Sequence, residues 1–323
     1  MSVASRALKQ KAKDLKVRSK VGFFEELWMN RSMYLMTLPG IVFFLLFSYL
    51  PMFGIIIAFK DYKIGQDILS SAWSGLDNFK FFFTSGSALR VTANTLFLNV
   101  LFISFGLVFE IGIALFLNEI GNKYFKRITQ SILLLPNFMS WIVVAVIMQG
   151  LFASDAGLIN NVLRSLGIGE INWYGRADLW PPLLVIFRVW KSAGFGSIIY
   201  LATIAGMDAE VYEAATIDGA NRIQKIAYIT LPLLIPTAIM LTILSVGKIF
   251  YGDVGMIYGL TGDNPMLFPT TDVIDTYVLR ALRSLGDLGM AAAVGLWQSV
   301  MGLIFVLGSN ALAKRYEKDS ALF

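Results

Sequence analysis

The sequence predicts an all-α membrane protein with six transmembrane helices, and three observations predict it. Apolar residues make up 56% of the 323 and charged residues only 15%, against about 25% charged in an ordinary soluble domain. Six apolar stretches are long enough to cross about 30 Å of hydrocarbon, which takes roughly 20 residues. Lysine and arginine are shared unequally between the two sides that those stretches define.

The first stretch, Met33–Phe59, follows a basic segment too charged to be a cleaved signal peptide. The second, Thr92–Leu117, carries Glu110, and the third, Ser131–Phe152, follows the basic connector Lys123–Arg127. The fourth, Trp180–Gly206, carries Arg188 and Lys191. The fifth, Ile229–Tyr251, opens on Pro232 and Pro236 and holds Lys248 near its far end; proline is cheap at a helix start because that N–H is unpaired anyway. The sixth is Leu288–Leu312. The chain therefore divides into a basic tail at 1–32, a membrane domain at 33–312 with a polar connector at 208–231, and a short tail at 313–323. Connectors of at most about 35 residues leave no room for a separate soluble domain.

Sixteen lysines and arginines fall on the side holding both tails, against eight on the other. The positive-inside rule puts both termini and the connector 208–231 in the cytoplasm. The basic first tail is read as an orientation signal touching lipid headgroups, not as a nucleic-acid arm. There is no cysteine and no histidine, which excludes disulfides, thiolate zinc sites, imidazole bases and Ser-His-Asp catalysis. No GxxxxGK[ST] loop is present, so the chain does not cradle a nucleotide through a P-loop. No metal site and no catalytic residue are expected.

Charges inside spans are costly, about 2.5–3.5 kcal/mol each at a helix centre, and face the bundle interior, water or partners. Arg188 and Lys191 are three apart on one helix face, about 12–17 Å from the outer end of their span at 1.5 Å per residue. Both are candidates for lining a pathway. Lys248 lies close enough to the outer end to snorkel. Glu110 has two open roles, a partner within or between subunits, or transport. Three cations against one anion suit a negatively charged substrate.

The connector is more specific still. Glu213–Pro236 reads EAATIDGANRIQKIAYITLPLLIP: Glu-Ala-Ala, Gly219 after three residues, nine more, then Ile-x-Leu-Pro. Asp208, Glu210 and Glu213 crowd the early turns of a helix-forming run, where the dipole favours negative charge. Gly219 allows the helix to end or bend through φ > 0, and Asn221–Tyr228 makes a second short segment. The pattern resembles the EAA loop of bacterial ABC importer permeases, which docks into a cytoplasmic ATPase. RITQSILLLPNFMSWIVVAVIMQGLF and INWYGRADLWPPLLVIFRVWKSAGFGSIIYLATIAGM resemble the third and fourth spans of carbohydrate-importer permeases. DVIDTYVLRALRSLGDLGMAAAVGLWQSVMGLI resembles the end of the oligo- and polysaccharide branch, which includes the alginate importer.

The resemblance implies the type I importer permease fold, six spans with a cytoplasmic coupling helix, in the bacterial inner membrane. It implies a non-catalytic subunit beside a second, expected to be different, permease, two copies of a P-loop ATPase that bind ATP and Mg, and a periplasmic or extracellular solute-binding protein. Glu213, Ala214, Ala215, Asp218, Gly219 and Ala220 fall at the coupling positions. The positions that line the sugar cavity of the maltose importer fall on Asn137 and Trp141, on Arg188, Lys191 and Ser192 around the shared Trp190, and on Ser245, Ile249 and Gly252, with Lys248 adjacent. Basic Arg188 and Lys191 stand where the maltose pattern is neutral, which favours an acidic, alginate-like glycan. A permease for neutral oligosaccharides is the alternative within the family. A self-sufficient secondary transporter or channel would explain the spans but not the EAA spacing, and a membrane enzyme finds no catalytic constellation.

Overall fold

The computed structural model describes residues 25, 28–84, 86–155 and 157–316. Most of the basic tail 1–32, and Lys318 with the end of the second tail, lie outside the described residues. Two units are distinguished, one ending at Ile56 and one running from Ile57.

The first unit is built on helix α1 (Arg31–Phe44), which continues through a π-turn (Leu45–Tyr49) into the rest of the apolar segment Arg31–Phe59. The second unit is helical, and among the described residues its only β feature is an isolated Lys60–Trp73 bridge. That bridge closes a loop in which the buried Lys60 ammonium donates to the Ile68 and Leu69 carbonyls at 2.9 and 2.6 Å.

The short helix α2 (Asp77–Thr84) precedes the long α3 (Ala88–Glu119). Gly121 and Asn122 then turn the chain, and the Asn122 side chain accepts from the Tyr124 and Phe125 N–H groups to start α4 (Lys123–Leu134). The third span was expected as one run from Ser131. It is instead broken, with α4 and α5 (Trp141–Phe152) meeting at 96°. Pro136 interrupts the hydrogen-bond ladder, and Ser140 restarts it by accepting from the Val143 N–H at 3.3 Å. Among the described residues, five segments are long and apolar enough to cross a membrane, six if this bent pair is one span.

After α6 (Leu158–Ser165), the buried Asn160 gathers the connector 153–179, bonding Ser154, Ile171 and the Trp173 indole. Helix α7 (Trp180–Ala205) begins with Pro181 and Pro182 at positions where no N–H is needed. It is followed by α8 (Ala209–Ile217) and α9 (Arg222–Lys225), and a π-turn (Ile226–Thr230) leads into α10 (Leu231–Val246). The fifth apolar segment is therefore Arg222–Val246, not Ile229–Tyr251. Lys248 stands in the turns just past the helix. Helices α11 (Val254–Thr261), α12 (Phe268–Thr271) and α13 (Ile274–Leu285) precede α14 (Leu288–Tyr316), with Gly286 left-handed at φ 65° ending α13.

Helices α3 and α7 form the most extensive pair, with α10 and α14 packed alongside and α5 against α11. Ala114 meets Tyr200 and Ile204 at one end, and Leu98 meets Leu184 and Phe187 at the other. Two glycines let α7 come close. A Cβ on Gly194 would lie 2.0 Å from the Leu133 carbonyl oxygen of α4, and one on Gly196 would lie 2.2 Å from the Glu110 carboxyl carbon of α3. Gly194→Ala must push backbone apart, and overpacking of this kind costs about 1–3 kcal/mol. Gly112→Ala on α3 meets nothing within 4 Å and should gain about 0.5–1 kcal/mol from helix propensity. Thermal unfolding of the detergent-solubilised chain is expected to shift down for the first and up or not at all for the second.

Candidate functional site

A cleft of about 560 Å³ opens between α3, α7 and α10. Arg188, Ser192 and Gly196 line it at helical spacing along α7, with Glu110 opposite and Ser245 and Lys248 from the third wall. Both serine hydroxyls are turned back on their own helices, Ser192 to the Arg188 carbonyl at 2.7 Å and Ser245 to the Leu241 carbonyl at 2.9 Å. Glu110 lies over Gly196 and interacts electrostatically with Arg188. Neither Glu110 nor Lys248 has an ion-pair partner among the described residues.

Arg188 is not free. Its Nη1 donates to Asp253 Oδ2 at 2.8 Å, and the Trp141 indole Nε1 donates to the same oxygen at 3.1 Å. The other oxygen, Oδ1, accepts from the Met256 N–H at 3.0 Å and starts α11. Lys191, one turn further along α7, donates to the Asn137 carbonyl at 3.0 Å and sits 5.1 Å above the Trp141 ring. It has no carboxylate partner among the described residues. Arg188 and Trp141 thus meet on Asp253, a residue the apolar runs do not include, with Lys191 over the Trp141 ring and Asn137 on Lys191. The signal for Asp253 was an N-cap acid directly before the short apolar run 254–261.

Of the expected pathway positions, Arg188, Ser192, Ser245 and Lys248 line this cleft, Asn137, Trp141 and Lys191 stand beside Arg188, and Ile249 and Gly252 lie elsewhere. Ile249 is buried against Phe82, Val91 and Ile274, and its carbonyl accepts from Asn99 at 3.0 Å. The Gly252 N–H donates to Asp275 Oδ2 at 2.5 Å, and a Cβ there would lie 2.5 Å from Val273. Both lie beyond Val246, where the fifth helix stops and its helical spacing no longer applies. Burial pushes the Asp275 carboxyl above its ordinary range, partly offset by that N–H and by Gln298, which donates at 3.0 Å.

The connector is a second rigid feature. Asp208 caps α8 by accepting from the Glu210 N–H at 2.9 Å. The helix ends in a Schellman turn, with the Ala220 N–H on the Ala215 carbonyl at 2.9 Å and the Gly219 N–H on that of Thr216 at 3.1 Å. That turn needs φ +80° at Gly219, which glycine adopts freely. Asn221 and Gln224 form a reciprocal capping box at 2.9 and 2.8 Å. Lys225 then ties α9 to α8 by donating to the Thr216 hydroxyl at 2.7 Å, and the Tyr212 and Thr230 hydroxyls bond at 2.9 Å. A recess of about 350 Å³ lies at the joint, lined by Ala215, Asp218, Gly219 and Ala220. Glu213 and Ala214 are exposed on α8, and Ile217 and Ile223 are exposed around the joint.

The model of the family described as "Binding-protein-dependent transport system inner membrane component" matches residues 103–318. Protein LplB of Bacillus subtilis (strain 168) is 36% identical over 299 residues, covering 93% of each chain. From the same organism, the polygalacturonan/rhamnogalacturonan transport system permease protein YteP is 36% identical over 294 residues and 91% of each. A solved structure of a bacterial alginate ABC transporter, in complex with an alginate pentasaccharide-bound periplasmic protein, matches with a TM-score of 0.83 and 33% identity over 92% of this chain and 98% of that one. The range matched by the family model includes the connector 208–231 and most of the cleft-lining residues. The chain belongs to the binding-protein-dependent inner membrane component family and is a non-catalytic permease subunit of a sugar ABC importer.

Proposed function

We propose that this permease forms half of a translocation pathway for an acidic, alginate-like oligo- or polysaccharide. The observation that carries the reading is the cation set at the cleft. Arg188 and Lys248 line it, and Lys191 stands beside Arg188 with its ammonium held only by a carbonyl and an aromatic face. An ammonium without a counter-charge in a low-dielectric wall attracts a uronate carboxylate strongly. The relatives named for polygalacturonan and alginate transport act on uronate polymers and support it.

In the assembly proposed, a second and different permease completes the pore, a solute-binding protein delivers the glycan, and two ATPases bind ATP and Mg on the cytoplasmic side of the inner membrane. Both termini lie on that side. The rigid α8–Gly219–α9 unit docks into an ATPase groove, where Glu213 meets a basic residue, and closure of the ATPases rotates the cleft outward. The substrate shifts this equilibrium only through differential contacts with the two states.

One observation favours a neutral oligosaccharide instead: Asp253 neutralises Arg188 at the wall of the cleft. Lys191 separates the two readings. Lys191→Gln should weaken uptake of an alginate pentasaccharide by about 1.5–3 kcal/mol, with little effect on the same sugar after its carboxyls are reduced to alcohols. Equal losses for both sugars would favour the neutral reading. Lys248→Gln should do less, because Lys248 reaches solvent. For the connector, Glu213→Lys should lower both transport and substrate-stimulated ATP hydrolysis while the protein still inserts; hydrolysis coupled at the parental level would place the docking contact elsewhere.

A further inference from the structure

We propose that Asp253 is a resident carboxylate occupying the place on Arg188 that a substrate carboxylate takes, so that an anionic glycan entering the cleft displaces it and unlatches α5 and α11 from α7. The inference rests on the acidic-glycan reading of the cleft.

Asp253 joins three elements at once. One oxygen holds Arg188 of α7 and the indole of Trp141 at the start of α5, and the other caps α11. Helices α5 and α11 form one packed body, with Trp141 against two glycines of α11, its ring edge at Gly255 and its backbone at Gly259. A Cβ on Gly255 would sit 3.4 Å from the Trp141 Cδ1, and one on Gly259 would sit 3.6 Å from the Trp141 carbonyl oxygen. The Arg188–Asp253 pair therefore ties that body to the cleft-lining face of α7.

The pair is also placed for exchange. Its side chains are 39% and 31% exposed, and Arg188 lines the cleft. A second Arg–Asp pair in the molecule shows the contrast. Arg280 bonds Asp272 at 2.6 Å with the aspartate fully buried, and its guanidinium lies 4.1 Å from the Phe268 ring centroid. The carboxylate of that pair is sealed, and removing Arg280 would strand a buried charge. At Arg188 an incoming carboxylate replaces a carboxylate, so the guanidinium keeps a counter-charge, while the displaced Asp253 carboxylate, 31% exposed, turns to water and keeps the Met256 N–H. A hydroxyl offers Arg188 a weaker acceptor, so a neutral sugar leaves the latch shut. Asp253 thereby acts as a positioning and specificity-determining residue, and substrate charge becomes the trigger for movement.

The test uses the intact transporter in lipid nanodiscs with its ATPases and binding protein, stimulated by alginate pentasaccharide or by its carboxyl-reduced form. Asp253→Asn should raise ATP hydrolysis without sugar and lower the half-stimulating concentration of the acidic sugar about threefold or more, because a competent state that is only partly populated reduces apparent affinity by that fraction. In an Arg188→Gln background the same change should no longer alter the acidic response. Trp141→Phe, which removes the indole N–H donor together with the pyrrole part of the ring, should raise sugar-free hydrolysis in the same direction, and it decides the matter if Asp253→Asn fails to assemble. Unchanged sugar-free hydrolysis in these variants, or equal weakening for both sugars, overturns the latch. If the parental transporter responds equally to both sugars, the acidic-glycan reading fails, while sugar-free hydrolysis in Asp253→Asn still judges the latch.

Discussion

A guanidinium set inside an apolar helix must be given a counter-charge, and the arrangement around Arg188 follows from meeting that demand. The counter-charge comes from Asp253, which lies outside the membrane helices, directly after the turns that end the fifth apolar segment. Bringing it to Arg188 requires α10 to stop at Val246, the chain to turn through Lys248–Tyr251, and α11 to lie against α5. Trp141 can share the same carboxylate oxygen only because the third span breaks at Pro136 and restarts at Ser140. The irregularities of the fold therefore converge on one ion pair. Unlike the Arg280–Asp272 pair, whose carboxylate is sealed, this one borders open space.

Helix positions were largely legible from hydrophobic run length, because a bilayer imposes one length and one polarity on whatever crosses it. The second, fourth and sixth spans match the apolar runs to within a few residues. The third and fifth differ for reasons that hydropathy does not carry. Pro136 and Ser140 stop and restart a ladder without changing the polarity of their neighbours, and Gly247–Tyr251 is as apolar in its turns as it would be in a helix. At the cleft, Arg188, Ser192, Ser245 and Lys248 could be found from charge and family spacing. Ile249 and Gly252 could not be placed that way, since periodicity fails once the helix has ended. Asp253 was missed because its role depends on a contact 65 residues away in sequence.

The connector 208–231 shows the opposite case, a segment whose conformation is written locally. Asp208, Gly219, Asn221 and Gln224 each satisfy backbone groups within five residues of themselves. Such a unit keeps its shape without help from distant packing, which suits the docking role proposed for it. The cleft depends on long-range contacts and is correspondingly open to rearrangement. In the proposed mechanism, a locally fixed connector and an exchangeable pair in the cleft let ATPase closure and substrate charge act on one molecule.

The most direct measurement of whether the cleft takes an acidic glycan exploits the absence of native cysteine in this chain. Ser192→Cys and Ser245→Cys, introduced singly into the assembled transporter, would be labelled with a water-soluble methanethiosulfonate reagent, and the modification rate followed with and without sugar. Alginate pentasaccharide should slow labelling at both positions, while the carboxyl-reduced pentasaccharide at the same concentration should leave the rates near those without sugar. Labelling indifferent to the acidic sugar, or slowed equally by both, would contradict a cleft selective for carboxylated glycans.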